Sequence, residues 1–259
     1  MSKDTVSKTL IVALSVCLAC AVVVSTAAVV LKPIQEINDE RNRQENILAA
    51  AGLLQEDVPL EEQFARVQTR IVDLRTGTFT DAVDPATYDN LRAAKTADSE
   101  LSTSFDDLPI EDRAKIGRRE NYATVYLVEE QGELDKIILP IRGYGLWSTL
   151  YGFIALEADA TTVAGIGFYQ HGETPGLGGE VDNPDWKALW HDKEVYDGGE
   201  VAIEVIKGAV GPNTANAEHR VDGLSGATLT SRGVSDLVRF WLGEYGFKSF
   251  LENLKVGGA

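Results

Sequence analysis

Residues 124–156 read TVYLVEEQGELDKIILPIRGYGLWSTLYGFIAL and form the most strand-like part of the chain. The apolar runs at 124–128 and 136–141 flank a short segment around Gly132, which predicts a β-hairpin. The apolar run at 151–156 predicts the next strand. Strands that follow one another in this way, with helical patterns before and after them, favour an α+β fold. We therefore expect a mixed or antiparallel sheet flanked by helices, not a doubly wound parallel sheet.

Helical patterns lie on both sides of this centre. Before it, Phe64, Val67, Ile71 and Leu74 fall at helical spacing and predict a helix, whereas residues 76–107 read as strand and turn or loop. After it, a strand is predicted at 163–169, a short aromatic helix around Trp186 and Trp190, and a strand at 201–210 that is interrupted at Lys207. The last pattern is an amphipathic helix with Thr230 or Ser231 at its N-cap. Its apolar positions are Val234, Leu237, Val238, Trp241, Leu242 and Tyr245.

The most apolar segment lies near the N-terminus. Residues 10–31 contain no charged residue, and at ~1.5 Å per residue they can cross a hydrocarbon core of ~30 Å. A cleaved signal peptide is the alternative, with its cleavage site at Ser25-Thr26-Ala27, but the apolar run continues beyond it to Leu31. Lys3 and Lys8 precede the run and predict a cytoplasmic N-terminus, because basic residues flank the cytoplasmic side.

These patterns predict a single-pass membrane protein with its soluble part outside the cytoplasm, which is the periplasm if the cell is Gram-negative. The expected divisions are a cytoplasmic tail at 1–9, a transmembrane helix at 10–31, a stalk and helical or insert region at 32–115, and a strand-rich domain at 116–259.

Charge and side-chain chemistry exclude several functions. With 40 acidic and 24 basic residues the chain carries a formal net charge of -16, which argues against binding nucleic acid. Both cysteines, Cys17 and Cys20, lie in the apolar segment and are interpreted as packing residues. Since the soluble part has no cysteine and the chain has 3 histidines, no protein-ligated metal is expected. A redox role would require an organic cofactor.

The segment SGATLTS at 225–231 is a candidate phosphate site. Small residues lead into a helix whose first backbone N–H groups lack intrahelical partners, and such an N-terminus favours anions. Ser225, Thr228 and Thr230 place hydroxyls there, although simple helix capping explains the same residues. A nucleophilic Ser225 is a further alternative, because GLSGA nearly matches G-x-S-x-G. Ala227 replaces the last glycine, and all histidines precede the serine, against the order of that fold.

Two glycine-rich segments are candidate walls for a flat ligand. In GYGLWS at 143–148 the glycines allow a ligand to approach the backbone closely, and Trp147 offers an aromatic face. HGETPGLGG at 171–179 contains a Pro-Gly turn. Hairpin turns are the default explanation of both segments. Lys207 follows an apolar strand and fits either a phosphate contact or an ordinary surface lysine.

Together these residues resemble a known family. DGLSGAT at 222–228 is similar to the acceptor motif of proteins flavinylated on threonine, and 143–148 and 171–180 match other hallmarks of the same domain. The resemblance spans essentially the whole chain and identifies it with the family of the C subunit of the bacterial Na+-translocating NADH:quinone reductase (NqrC). The G subunit of the Rnf electron-transport complex is a shorter relative, and the insert at roughly 50–115 favours the NqrC family.

The resemblance implies a covalent cofactor and a set of site residues. FMN would be joined to Thr228 by a phosphoester, with no catalytic residue and no metal in the chain. Trp147 and Leu177 would pack against the ring, while Glu173, Thr174 and Lys207 would supply polar contacts. The full set of implied FMN-binding positions is Ser225, Gly226, Ala227, Leu229, Thr230, Trp147, Ser148, Glu173, Thr174, Gly176, Leu177 and Lys207.

The resemblance also implies a function and partners. The protein would carry single electrons between an iron–sulfur centre and the flavin of the B subunit, in a complex that oxidises NADH, reduces ubiquinone and pumps Na+ out of the cell. Its partners would be the A, B, D, E and F subunits, with a flavin transferase as the modifying enzyme. The alternatives are an Rnf-type electron carrier with the same covalent FMN, and a non-redox extracytoplasmic assembly module.

Overall fold

The computed structural model describes residues 5–259. The first four residues of the predicted tail, including Lys3, lie outside the described part. The chain divides into two compact units, Met1–Arg43 and Gln44–Ala259.

The first unit is helical. Helix α1, Val6–Ala50, continues through Pro33 without a break, from the apolar run into the beginning of the region 32–115. By length and composition it is long and apolar enough to span a membrane, and no side chain of its most apolar window is buried in the protein. An apolar surface of this length is costly in water and favourable in lipid, so the finding fits a membrane-anchored chain. Cys17 and Cys20 are exposed on this helix.

The second unit contains the sheet and the remaining helices. The helices are α2, Leu60–Phe64; α3, Asn90–Lys95; α4, Pro184–Ala188; α5, Thr228–Trp241; and α6, Lys248–Lys255. The strands are β1, Val67–Asp73; β2, Thr78–Phe79; β3, Ser102–Ser104; β4, Arg118–Glu120; β5, Tyr122–Glu130; β6, Glu133–Tyr144; β7, Thr149–Glu157; β8, Val163–Gln170; β9, Tyr196–Asp197; β10, Glu200–Val201; β11, Glu204–Val205; and β12, Arg220–Val221.

The main sheet is six-stranded and antiparallel throughout, in the order β2-β1-β5-β6-β7-β8. The hairpin predicted around Gly132 is confirmed: β5 and β6 are joined at Gln131 and Gly132, whose φ angles of 56° and 86° suit a tight type I′ turn. The predicted α+β class with an antiparallel sheet flanked by helices is likewise confirmed.

Both faces of the sheet are covered, which explains why β5 is apolar or buried at every position from 122 to 128. Val125 and Leu127 face the larger core, which also contains Leu237 and Trp241 of α5. Tyr126 and Val128 face a second core that includes Ile47 from the end of α1. The sheet therefore provides a rigid base on which α5 is held.

The helix predicted from Phe64 to Leu74 is wrong. Helix α2 ends at Phe64, and β1 pairs along its whole length with β5, from Val67 opposite Val128 to Asp73 opposite Tyr122. The spacing of the apolar residues suited a helix, but β1 is rich in Val, Thr and Ile, which favour strands. Such a short segment is not assigned by periodicity alone.

Two other segments differ in detail from the prediction. The predicted strand at 201–210 is reduced to β10 and β11, and the chain beyond Val205 forms a loop. The region 76–107, predicted as strand and turn or loop, also contains α3, whose N-cap Asp89 accepts hydrogen bonds from the N–H groups of Leu91 and Arg92.

Candidate functional site

The N-terminus of α5 has no side-chain cap. The helix begins at Thr228, with Ala227 at the N-cap position, so the prediction of Thr230 or Ser231 as the cap is wrong. Ser231 instead lies within the helix and connects it to the preceding loop. Its hydroxyl accepts from the Leu224 N–H at 3.0 Å and donates to the Ala227 carbonyl at 3.2 Å. The N–H groups of the first turn are thus left for an acceptor from outside the helix.

The loop before α5 is hydrogen-bonded to residues 208–210, which follow β11. The Gly223 N–H donates to the Gly208 carbonyl at 2.8 Å, and the Asp222 carboxylate accepts from the Val210 N–H at 2.8 Å. The indole N–H of Trp186 donates to the Asp222 carbonyl at 2.8 Å. These contacts hold the DGLSGAT segment in a defined conformation and bring Lys207 beside it.

A cleft of about 730 Å³ lies between these two segments. Four of the predicted site residues line it together: Ser225, Gly226, Thr228 and Lys207. Arg232 also lines the cleft, four residues after Thr228 and therefore on the same side of α5. Sequence reasoning missed Arg232, although this spacing was visible. Ala227, by contrast, is buried in the core.

A buried carboxylate connects three segments of the site. Oε1 of Glu173 accepts hydrogen bonds from the backbone N–H groups of Leu146, Trp147 and Ser148 at 3.0, 2.9 and 3.2 Å. Its Oε2 accepts from the hydroxyl of Thr230 at 2.8 Å. The loop at 145–148, the loop at 171–179 and the first turn of α5 therefore meet at Glu173.

These hydrogen bonds govern the ionisation of Glu173. Burial raises its pKa, but hydrogen bonds from the Trp147 amide, the Thr230 hydroxyl and the amides of Leu146 and Ser148 outweigh burial and hold the pKa below its ordinary value of 4.5. A carboxylate with a depressed folded-state pKa contributes stability above its unfolded pKa and loses it as the pH falls through the folded pKa.

We therefore expect Glu173→Gln to be less stable than the parent chain at neutral pH, with the difference shrinking as the pH is lowered below about 4.5. Urea unfolding of both full-length chains in detergent, at a series of pH values, measures this difference. Other acidic groups titrate equally in both proteins and cancel in the comparison. Parallel stability curves down to acid pH would contradict the expectation.

Several predicted polar contacts are used within the protein. The hydroxyl of Ser148 accepts from the Gly172 N–H at 2.6 Å, and Thr230 is fully buried against Glu173. The carbonyl of Thr174 accepts from the N–H groups of Leu177 and Gly179, closing a turn. Gly176 has a φ of 74° in this turn, a conformation that favours glycine. These residues shape the site through the backbone.

Three large apolar side chains are exposed on the segments that Glu173 connects. Trp147 is 66% exposed, Leu229 51% and Leu177 43%. Leu177 also reaches the DGLSGAT loop, because a Cβ atom at Gly226 would lie 2.9 Å from its Cδ2. Exposed apolar groups concentrated around an anion-binding helix terminus suit a ligand with a flat apolar part and a phosphate.

The histidines do not support a serine hydrolase. His171 bonds through its two ring nitrogens to Asp182 and to the Glu173 N–H, and His191 and His219 each bond a backbone carbonyl. In residues 5–259 none of the three forms a hydrogen bond with Ser225. The nucleophile interpretation of Ser225 therefore finds no general base.

Comparisons with known proteins agree with the site geometry. Residues 145–243 match the FMN-binding domain family, a range that includes all the residues described above as the site. The chain is 57% identical to the C subunit of the Na(+)-translocating NADH-quinone reductase of Pseudomonas aeruginosa, covering 100% of this chain and 99% of that protein. It is 47% identical to the corresponding protein of Yersinia pestis, covering 99% of this chain and 96% of that protein.

This chain belongs to the NqrC family, the C subunits of Na+-translocating NADH-quinone reductases. The fold agrees: the crystal structure of Shewanella oneidensis NqrC superposes with a TM-score of 0.76 at 36% identity, covering 85% of this chain and 99% of that chain. The crystal structure of the family member from Parabacteroides distasonis gives a TM-score of 0.64 at 25% identity, covering 85% of this chain and 96% of that chain. Membership confirms the predicted family, the FMN-binding domain and the place of the chain in an oxidoreductase complex of electron transport.

Proposed function

We propose that this protein carries FMN as a phosphoester on Oγ1 of Thr228 and relays single electrons between other redox centres of its complex. The observation that carries the proposal is the position of Thr228. It is exposed, it is the first residue of a helix without a side-chain cap, and it lines the cleft together with Lys207. No other hydroxyl of the motif combines these features.

The other two candidate hydroxyls are placed differently. Thr230 is buried and donates to Glu173, so its oxygen is not accessible to a modifying enzyme. Ser225 is exposed but lies in the loop three residues before the helix begins. The geometry therefore favours Thr228 as the acceptor within SGATLTS.

The residues present fit FMN at both of its ends. The first turn of α5 carries about +0.5 of an elementary charge, and Lys207 and Arg232 add cationic side chains around the same cleft. The cleft also contains carboxylates, of which Glu204 and Asp236 pair with Arg239 and Asp222 accepts from a backbone N–H. These groups would hold the ester phosphate. Trp147, Leu177 and Leu229 offer exposed apolar surface to the ring system. When bound, FMN supplies reversible one-electron and two-electron redox chemistry that the side chains lack.

The proposal extends to the complex and the membrane. The complex oxidises NADH, reduces ubiquinone and pumps Na+, with electrons reaching this protein from an iron–sulfur centre and leaving to the flavin of the B subunit. The A, B, D, E and F subunits are the partners, and a flavin transferase attaches the FMN. Lys8 lies at the cytoplasmic end of α1, and the domain lies on the periplasmic side of the inner membrane.

Two alternatives predict different observations. An Rnf-type electron carrier would have the same covalent FMN, but relatives from the NADH-quinone reductase match this chain from end to end, which favours the reductase. A non-redox assembly module would be colourless and would still co-purify with its partners.

The direct test is an intact mass of the denatured chain from its native membrane, followed by peptide mapping. We expect a gain equal to FMN minus water on the peptide that contains Thr228. An unmodified mass, or a flavin on another residue, would overturn the proposed linkage.

A further inference from the structure

The loop at 145–148 forms an anion-binding concavity that an internal carboxylate already fills. Three successive backbone N–H groups, from Leu146 to Ser148, converge on a single oxygen of Glu173. Successive amides arranged in this way normally bind an external anion such as a phosphate. Because Glu173 is only 5% exposed and occupies this position, the glycine-rich loop is not available to hold a cofactor phosphate.

The neighbouring backbone leaves room only for this carboxylate. A Cβ atom at Gly178 would lie 2.6 Å from Oε2 of Glu173 and 2.6 Å from Oγ1 of Thr230. A Cβ atom at Gly145 would lie 2.7 Å from Oε1 of Glu173. Both glycines therefore permit the close approach that brings the carboxylate to the loop amides and to α5.

We propose that Glu173 is a positioning residue of the flavin site and not a ligand of the ring. Its carboxylate fixes the loop that carries Trp147 to the first turn of α5 before any cofactor is attached. The same carboxylate engages the hydroxyl of Thr230 and leaves Thr228 as the acceptor of the first turn. This inference rests on the proposed function, since it assigns a role within the same site.

The charge of Glu173 is central to this role. Hydrogen bonds to an ionised acceptor are roughly twice as strong as neutral ones, so four donors on one carboxylate hold the loop firmly. Gln in its place keeps the shape and one carbonyl acceptor but loses the charge and the second acceptor. Glu173→Gln therefore separates positioning by the charge from simple filling of space.

The first measurement is hydrogen–deuterium exchange of the full-length chain in detergent, produced without a flavin transferase. We expect the amides at 146–148 to exchange at least about tenfold faster in Glu173→Gln than in the parent, with the interior of α5 around Leu237 unchanged. Glu180→Gln is the matched control, because Glu180 lies in the same segment and its side chain accepts a local hydrogen bond, from Asn183 at 2.8 Å. It should leave the loop amides unaffected.

The second measurement is the midpoint potential of the flavin in the loaded protein. Removing a fixed negative charge from the flavin site would favour the reduced, more electron-rich flavin, so Glu173→Gln should shift the potential upward while Glu180→Gln should not. A residue with only a structural role would change the unfolding midpoint and the local exchange but leave the potential unmoved, so an unchanged potential in Glu173→Gln would overturn its assignment to the flavin site.

Unchanged exchange at 146–148 in Glu173→Gln would overturn the inference. If Glu173→Gln does not fold, the exchange experiment is done on Thr230→Val. This variant removes only the hydrogen bond between the Glu173 carboxylate and α5. A smaller but measurable increase in exchange at 146–148 is then expected, and no increase would overturn the inference. The exchange experiment uses unflavinylated protein, so its failure is distinguishable from a failure of the proposed linkage at Thr228.

Discussion

Thr228→Val is expected to remove covalently bound flavin completely while the domain remains folded. Valine keeps the β-branched shape of threonine but has no oxygen to form the phosphoester. Thr228 is exposed, so its hydroxyl makes no buried contact whose loss would destabilise the fold. Flavin fluorescence in a denaturing gel and an intact mass, both from cells that contain the transferase, measure the outcome.

Thr230→Val is the matched control, since it makes the same chemical change two residues later. Thr230 is fully buried against Glu173, so we expect this variant to keep the flavin on Thr228. Flavin that survives denaturation in Thr228→Val would place the bond elsewhere. Flavin that peptide mapping of Thr230→Val finds on a residue other than Thr228 would contradict the assignment of the acceptor.

Local patterns in the sequence were sufficient to predict the central hairpin and the helix that follows DGLSGAT. Gly132 between two apolar runs is a local turn signal, and residues 124–141 fold as it indicates. The DGLSGAT segment is also local, because the small residues and the helix that follows are contiguous in the chain. Signals of this kind do not depend on which distant segment packs against them.

Contacts between distant segments were not predictable. Residues 67–73 form a strand because they pair with the edge of β5. The spacing of their apolar residues does not show that this pairing partner exists. Glu173 is predicted as a polar contact of FMN, but the sequence does not show its hydrogen bonds to residues 146–148 and to Thr230, which are 25 to 57 positions away. Such tertiary contacts outweigh local preferences, and a single sequence does not show them.

A buried ion pair next to the site is a further contact between distant segments that the sequence does not show. Nη1 of Arg142 donates to Oε1 of Glu120 at 2.8 Å, and Nη2 lies 2.6 Å from Oε2. Arg142 also lies over the ring of Trp241, 4.9 Å from its centroid, and its carbonyl accepts from the indole N–H of Trp241 at 2.7 Å. Since Arg142 is three residues before Gly145, this network joins α5 to the strand that leads into the Trp147 loop.

Arg142→Met is expected to lower the free energy of unfolding by about 3–5 kcal/mol. Methionine fills much of the space of the arginine stem but leaves the carboxylate of Glu120, which is 1% exposed, without the guanidinium group that contacts both of its oxygens. Chemical unfolding of the full-length chain in detergent measures the loss. Arg113→Met is the control, because Arg113 pairs with Glu111 on the surface and its removal should change stability by no more than about 0.5 kcal/mol.

The double variant Glu120→Leu/Arg142→Met tests the physical reason for this loss. Most of the penalty comes from leaving the buried carboxylate of Glu120 without its hydrogen-bonded guanidinium, so removing both charges should restore most of the stability lost in Arg142→Met. If the double variant is less stable than Arg142→Met, packing of the arginine stem against Trp241 is the larger contribution. A loss below about 1 kcal/mol in the single variant would mean that water reaches Glu120 once the arginine is removed.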